Sequence, residues 1–267
     1  MTGTFNGPVR ARSLAWRRLN AVARQAVLRG VTRPWASNLI VNEYPKSGGS
    51  WLSQMLAEAT GLPFPRMRLP MLRSCLMQTH TLDPRGMRDV VVIWRDGRDV
   101  MVSYYHHLVI GQESSPPSHL AWVRRELEIA DPSDVRGNLP RFIERMMTDP
   151  LSPRFTWPRF VKTWHGRPDV VETRYEDFLV DPAAELARVV EARTGEAPDA
   201  ARITTIVERY SFAAQSGRVS GEAATGKFLR KGVAGDWVNH FTPEAEATFE
   251  RHAAAAQRTL GYGGESS

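Results

Sequence analysis

The chain predicts an α/β fold, a central parallel sheet flanked by helices, and three observations lead there. Asp89–Trp94 (DVVVIW) is a β-branched apolar run of the kind a parallel sheet buries on both faces. Asn38–Glu43 (NLIVNE) and Val170–Tyr175 repeat that character more briefly. Between them lie patterns at helical spacing, and strands that alternate with helices build parallel sheets.

At 267 residues, with 42% hydrophobic and 24% charged residues, the chain suits one large domain with a buried core. Residues 1–37 read as a basic arm or helix and 38–267 as the body. Residues 1–42 hold seven arginines (10, 12, 17, 18, 24, 29 and 33) and no acid, which leaves 28 basic against 29 acidic residues elsewhere. The net charge of +6 therefore describes the arm, not the body. Within the arm Ala15, Leu19, Val22 and Ala26 share one helical face, opposite Arg17 and Arg24. Either the apolar face docks on the body with the arginines in water, or the helix lies on an anionic membrane or acidic partner. No zinc motif, RNP pattern or aromatic-basic interleaving points to nucleic acid. No apolar run long enough to span a bilayer and no secretory leader are read, and a lone Cys75 fits a reducing cytoplasm.

After the arm, Asn38–Glu43 is a strand and Tyr44–Ser50 a loop. A helix follows with Leu52, Met55, Leu56 and Ala59 inward, ended by Gly61 and Pro63. Cys75–Thr79 is a second strand, and helix is expected from Arg98 to Leu108. The proline-bearing, polar stretch 111–159 reads as a lid-like connection. Asp181-Pro182 and Thr242-Pro243-Glu244 are helix starts.

Two segments next to strands carry the chemistry. Tyr44–Trp51 (YPKSGGSW) lies between a strand and a helix, where backbone N–H groups and the helix N-terminus hold an anion. Lys46 adds a full charge, and Ser47, Gly48, Gly49 and Ser50 are small enough for close approach. The alternative is an ordinary strand–turn–helix corner. The lysine precedes the glycines, so this is not the G-x-x-x-x-G-K-[ST] loop of an NTPase. After Asp89–Trp94, Arg95 and Ser103 stand eight residues apart, and a helix beginning after Asp96 lets both reach one phosphate at the strand end. Asp99 reads as a surface ion-pair partner.

A third segment, Arg230–Trp237 (RKGVAGDW), sets two cations beside a glycine and needs an anion or open water. With these residues in view the chain resembles the PAPS-dependent sulfotransferases of cytosolic type (PAPS is 3′-phosphoadenosine 5′-phosphosulfate). Their first loop is close to Y-P-K-[SA]-G-[TS]-[TS]-W, and Arg230–Trp237 matches R-K-G-x-x-G-D-W without a departure. The resemblance implies a P-loop nucleotide-kinase-like fold and sulfonate transfer from PAPS to an acceptor hydroxyl, with PAP as product and no metal expected.

By the same resemblance Lys46 meets the oxygen bridging phosphate and sulfonate, Trp51 stacks on adenine, and Arg95, Ser103, Arg230 and the Gly232 backbone hold the 3′-phosphate. Lys231 either joins them or faces solvent. Tyr175 and the Ser211-Phe212 pair resemble residues near the adenine, though core or surface roles explain them nearly as well. Ser103 also reaches Lys46 when no acceptor is present. His80, in Gln78-Thr79-His80, stands where the family has its catalytic histidine in K-T-H, and is the expected general base. His106 and His107 rank second as residues of the acceptor pocket, and His240 reads as structural. Gln78 replaces the lysine of K-T-H, and the family dimer motif K-x-x-x-T-V-x-x-x-E keeps only Thr242 over Val238–Ala247. Pro63–Leu72, with Phe64, Met67, Leu69, Met71 and Leu72, reads as an apolar acceptor wall for a lipid, aromatic or glycosylated natural product. The rival readings are a P-loop kinase and a catalytically silent protein of this fold.

Overall fold

The structure, a computed structural model, describes residues 14–66, 72–112, 115–224, 227 and 230–263. Four strands, β1 (Leu39–Glu43), β2 (Leu76–Thr79), β3 (Val90–Trp94) and β4 (Val170–Arg174), form one parallel sheet in the order β2-β1-β3-β4. Ile40 pairs with both Met77 and Val90, and Val90 with Val170. Alternate residues along each strand serve opposite layers, as the pleat requires. Leu39, Val41, Val91 and Ile93 pack with Leu52 and Met55 of α2 (Gly49–Thr60), Leu186 of α8 (Pro182–Thr194) and Ile203 of α9 (Ala200–Arg209). Ile40, Val90, Val92 and Trp94 face α3 (Gly97–Tyr105), α5 (Val135–Thr148), α6 (Trp157–Trp164) and α11 (Pro243–Thr259).

The 111–159 stretch is not an irregular lid. It contains α4 (Pro117–Glu126) and α5, whose Leu139, Phe142, Ile143 and Met146 are fully buried in the core against α11. Their spacing is helical; Pro116, Pro117 and Pro158 stand at helix starts, Pro140 lies inside α5, and Pro132, Pro150 and Pro153 fall between helices.

The arm departs further from its expected packing. α1 (Leu14–Leu28) docks on the body, but Leu19 (58% exposed) and Val22 (68%) point outward. Arg24 turns inward instead and donates to the backbone carbonyls of Arg66 and Gln78. A flexible arginine reaches both carbonyls, and Val27 and Leu28 supply the apolar contact further along.

Candidate active site

Every strand ends at the same edge of the sheet, and the residue or loop following each strand contributes to one region there. Tyr44–Gly48 follows β1, His80 follows β2, Arg95 follows β3, and Tyr175 follows β4 as the first residue of α7 (Tyr175–Val180). This is where open α/β sheets bind ligands.

The turn after β1 is held in two left-handed conformations, Lys46 at φ +77° and Gly48 at φ +104°. A Cβ on Gly48 would come within 2.8 Å of the Tyr175 ring, so glycine is required twice over. Tyr44 anchors the turn from below, buried edge-on against Tyr104, Phe155 and Phe160. Burial draws the Lys46 ammonium down to about 8; Glu43 opposes this, while Arg95 and Arg230 add to it.

Glu43 itself is a finding that the sequence reading missed. Its buried carboxylate accepts from the Gly49 N–H at the start of α2 (2.6 Å) and from Gln78 Nε2 (2.7 Å). Gln78 Nε2 also reaches Ser50 Oγ at 2.8 Å. The only signal in the sequence was a charge closing a mostly apolar strand. His80 Nδ1 lies 3.1 Å from the Glu43 carbonyl oxygen and 4.0 Å from its carboxylate.

Arg95 is almost entirely buried. It donates to the carbonyls of Lys46 (3.2 Å) and Val233 (3.1 Å) and lies 4.4 Å over the Tyr175 ring, so it ties the first loop to the third segment. Asp99 is buried, not a surface group: it accepts from the N–H groups of Gly235 (2.7 Å) and Trp237 (2.9 Å). Eclipsed from solvent by that segment, it fastens the RKG loop to α3.

Asp236 orients the cations of the same loop, accepting from Arg230 (2.6 Å), Lys231 (2.5 Å) and Asn239 (2.9 Å). Burial pushes its carboxyl up, but the hydrogen bonds from Lys231, Arg230 and Asn239 prevail and hold it well below the usual carboxylate range. Lys231 therefore pairs with Asp236 rather than standing alone in solvent.

Lys46, Ser103 and Arg230 line a single cleft together with His106, His107, Gly111, Gln112 and Lys227. The two histidines enter it because α3 widens into a π-helical turn over His106–Ile110, a distortion common at functional sites. Burial keeps both neutral, each drawn down to about 4, with Arg230 and His240 adding to the fall at His106 and Lys46, His119 and His80 at His107. Arg95 Nε, both ring nitrogens of His106 and Nδ1 of His107 are buried without a hydrogen-bond partner among the described residues. Buried donors beside clustered cations fit an anionic ligand.

The aromatic residues expected near adenine also gather. Trp51 stands edge-on to Tyr175 (5.9 Å between ring centres) and donates its Nε1 hydrogen to the Tyr210 carbonyl at 2.8 Å. Phe212 covers Gly232, where a Cβ would come within 2.4 Å of the ring. Ser211 uses its hydroxyl to cap the helix that Phe212 begins. Of the expected acceptor wall, Phe64 is half-buried against the α2 side, Leu72 is exposed, and Met67, Leu69 and Met71 lie outside the described residues.

Converging cations, a glycine turn at a helix start and aromatic faces at the edge of a parallel sheet are the features a nucleotide-dependent transferase needs. Residues 62–261 match the family model described as "Sulfotransferase domain", and the chain belongs to that family. It is a PAPS-dependent sulfotransferase that carries out sulfonate transfer, and the kinase reading is set aside. The match begins beyond Tyr44–Trp51, so the reading of that loop rests on its own geometry.

Sulfotransferase 1E1 of Cavia porcellus is 23% identical, over 80% of this chain and 81% of its own length. Sulfotransferase 1A1 of Rattus norvegicus is 26% identical, with 82% and 84% covered. Among solved structures, mouse sulfotransferase SULT7A1 complexed with PAP superposes with a TM-score of 0.61 at 16% identity, covering 91% of this chain and 96% of its own. Retinol dehydratase in a complex with retinol and PAP gives 0.59 at 18%, with 84% and 82% covered. At these identities the structural likeness establishes the fold.

Proposed function

We propose that the cleft holds PAPS through Lys46 and the Ser47–Ser50 turn at one end and Arg95, Ser103, Arg230 and the Gly232 backbone at the other, with Trp51, Tyr175 and Phe212 around the adenine. The observation that carries this reading is the convergence of Lys46, Ser103 and Arg230 on one cleft from three separate segments of chain. PAPS supplies the sulfonate when bound. His80 takes the proton of the acceptor hydroxyl as the acceptor oxygen bonds to sulfur, and Lys46 neutralises the charge that gathers on the departing bridging oxygen. Ser103 and Lys231 assist from the edge of the cleft, Lys231 by holding Asp236 in register. An apolar alcohol is the acceptor class, a reading supported by the retinol and androsterone held with PAP in retinol dehydratase structures.

Replacing Lys46 by Ala should lower turnover by roughly 10²–10³, and His80→Ala should lower it comparably while each variant still binds PAP. Substantial turnover in His80→Ala would move the base to His107, an imidazole that lines the cleft.

We also propose that the outward face of α1 meets an anionic bilayer. Leu19, Val22 and, beyond the helix, Trp35 (61% exposed) are apolar side chains in water, and Arg18, Arg29 and Arg33 accompany them with no acid before Glu43. An apolar face with a basic margin is the composition of a helix at a lipid interface. Co-sedimentation with vesicles tests it.

A further inference from the structure

The loop after β1 departs from the pattern it resembles at Gly49, where serine or threonine is usual, and the strand beside it departs at Gln78, where lysine is usual. The two positions touch a common third residue. A Cβ on Gly49 would come within 2.4 Å of the Glu43 carboxyl carbon, so the Glu43 carboxylate fills the space that a larger side chain at 49 would need. The same carboxylate accepts from Gly49 N–H and from Gln78 Nε2, and a neutral amide at 78 satisfies it without neutralising it. Glu43, Gly49 six residues on and Gln78 35 residues on thus form one unit that places a buried negative charge at the helix start.

We propose that Glu43 is a positioning residue for sulfonate transfer, its backbone carbonyl and carboxylate orienting His80 and its charge balancing the cations around Lys46. This rests on the reading of His80 as base and Lys46 as the leaving-group cation.

The contact between His80 Nδ1 and the Glu43 carbonyl requires the hydrogen on Nδ1, because a carbonyl only accepts. Nε2 is then the free nitrogen, the one that takes the acceptor proton. As the imidazole gains that proton, a carboxylate 4.0 Å from Nδ1 stabilises the cation formed, the service an orienting carboxylate gives a catalytic histidine. On the other side, Arg95 and Arg230 disfavour the Lys46 ammonium, with His106 and His107 nearby, and Glu43 favours it. Taking the Glu43 charge away removes that support for the buried ammonium.

The experiment has two readouts. In the nucleotide-free protein, the Lys46 side chain is titrated by NMR in wild type, Glu43→Gln and Glu43→Asp. In the loaded enzyme, kcat is measured for the same proteins. The proposal expects the Lys46 midpoint, near 8 in wild type, to fall in Glu43→Gln and to return towards wild type in Glu43→Asp. It expects kcat to fall about 10–100-fold in Glu43→Gln, the range found when a group supporting an active residue is lost. PAP affinity, which also certifies folding, should change little. Gly49→Ala gives a second route, because its methyl group expels the carboxylate without altering charge. It should reproduce the kcat loss in wild type and add little in the Glu43→Gln background. An unchanged midpoint with unchanged kcat in Glu43→Gln overturns the role of Glu43 while leaving His80 and Lys46 standing. Normal turnover in His80→Ala instead overturns the underlying reading, whatever Glu43 does.

Discussion

Lys46 bears two costs together. Its backbone sits at φ +77°, a conformation worth roughly 1–3 kcal/mol of strain outside glycine, and burial weakens its hold on the proton. Both are tolerable where an anion arrives. The charged form is the working form, and a lowered pKa means the charge is lost earlier as pH rises. The account therefore expects kcat/KM for PAPS to hold up to about 8 and to decline above it. A profile flat to the ordinary lysine range would show that burial does not act on Lys46 as described. Lys46 was legible in the sequence because it stands in a glycine turn between a strand and a helix. Glu43 and Asp99 were not, since each acts on residues that only folding brings near: Gly49 and Gln78 for one, Gly235 and Trp237 for the other. Asp99, in the charged stretch Arg95–Asp99, reads as a surface group until its partners are known.

At the scale of elements, α3 is the organising piece. Asp96 caps it, accepting from Arg98 N–H at 2.8 Å, and Gln257 of α11 braces the same turn by donating to Asp96 and accepting from Gly97 N–H. One turn later Asp99 secures the loop that carries Arg230, and the π-helical turn at the far end delivers His106 and His107. A helix from Arg98 was expected, but not its π turn, which depends on packing rather than on residue spacing. The element most misread was α1. Hydrophobic period predicts which residues share a face but not which face the body takes, and here the face that docks is the one from which Arg24 meets the Arg66 and Gln78 carbonyls. The exposed face then makes a prediction of its own. Vesicles containing phosphatidylserine should retain the protein, neutral phosphatidylcholine vesicles should not, and Leu19→Glu with Val22→Glu should weaken retention at least tenfold. Each arginine near such a surface contributes about 1 kcal/mol, so added salt should release the protein. Equal behaviour on both vesicles, or none on either, would remove the membrane reading.

The whole molecule brings this together through one topological fact: four parallel strands end at one edge. Segments from Tyr44 to Trp237 need no special folding device to meet, because each follows a strand or packs on the helix after one. That is why the fold, and the meeting of Lys46, Ser103 and Arg230, could be read from motif order, with β1, β3 and β4 placed within a residue or two. The acceptor side was less legible. Its expected wall lies largely outside the described residues, and 111–159 holds α4 and α5, the latter packed into the core.

The central claim is that Lys46 and Arg230 serve opposite ends of one adenosine bisphosphate. Isothermal calorimetry with PAP and with adenosine 5′-phosphate, on wild type and Arg230→Ala, measures it directly. The account predicts that wild type binds PAP with added chelator present, and that Arg230→Ala weakens PAP at least tenfold while adenosine 5′-phosphate binds nearly as before. No heat with PAP, or equal losses for both nucleotides, would contradict it.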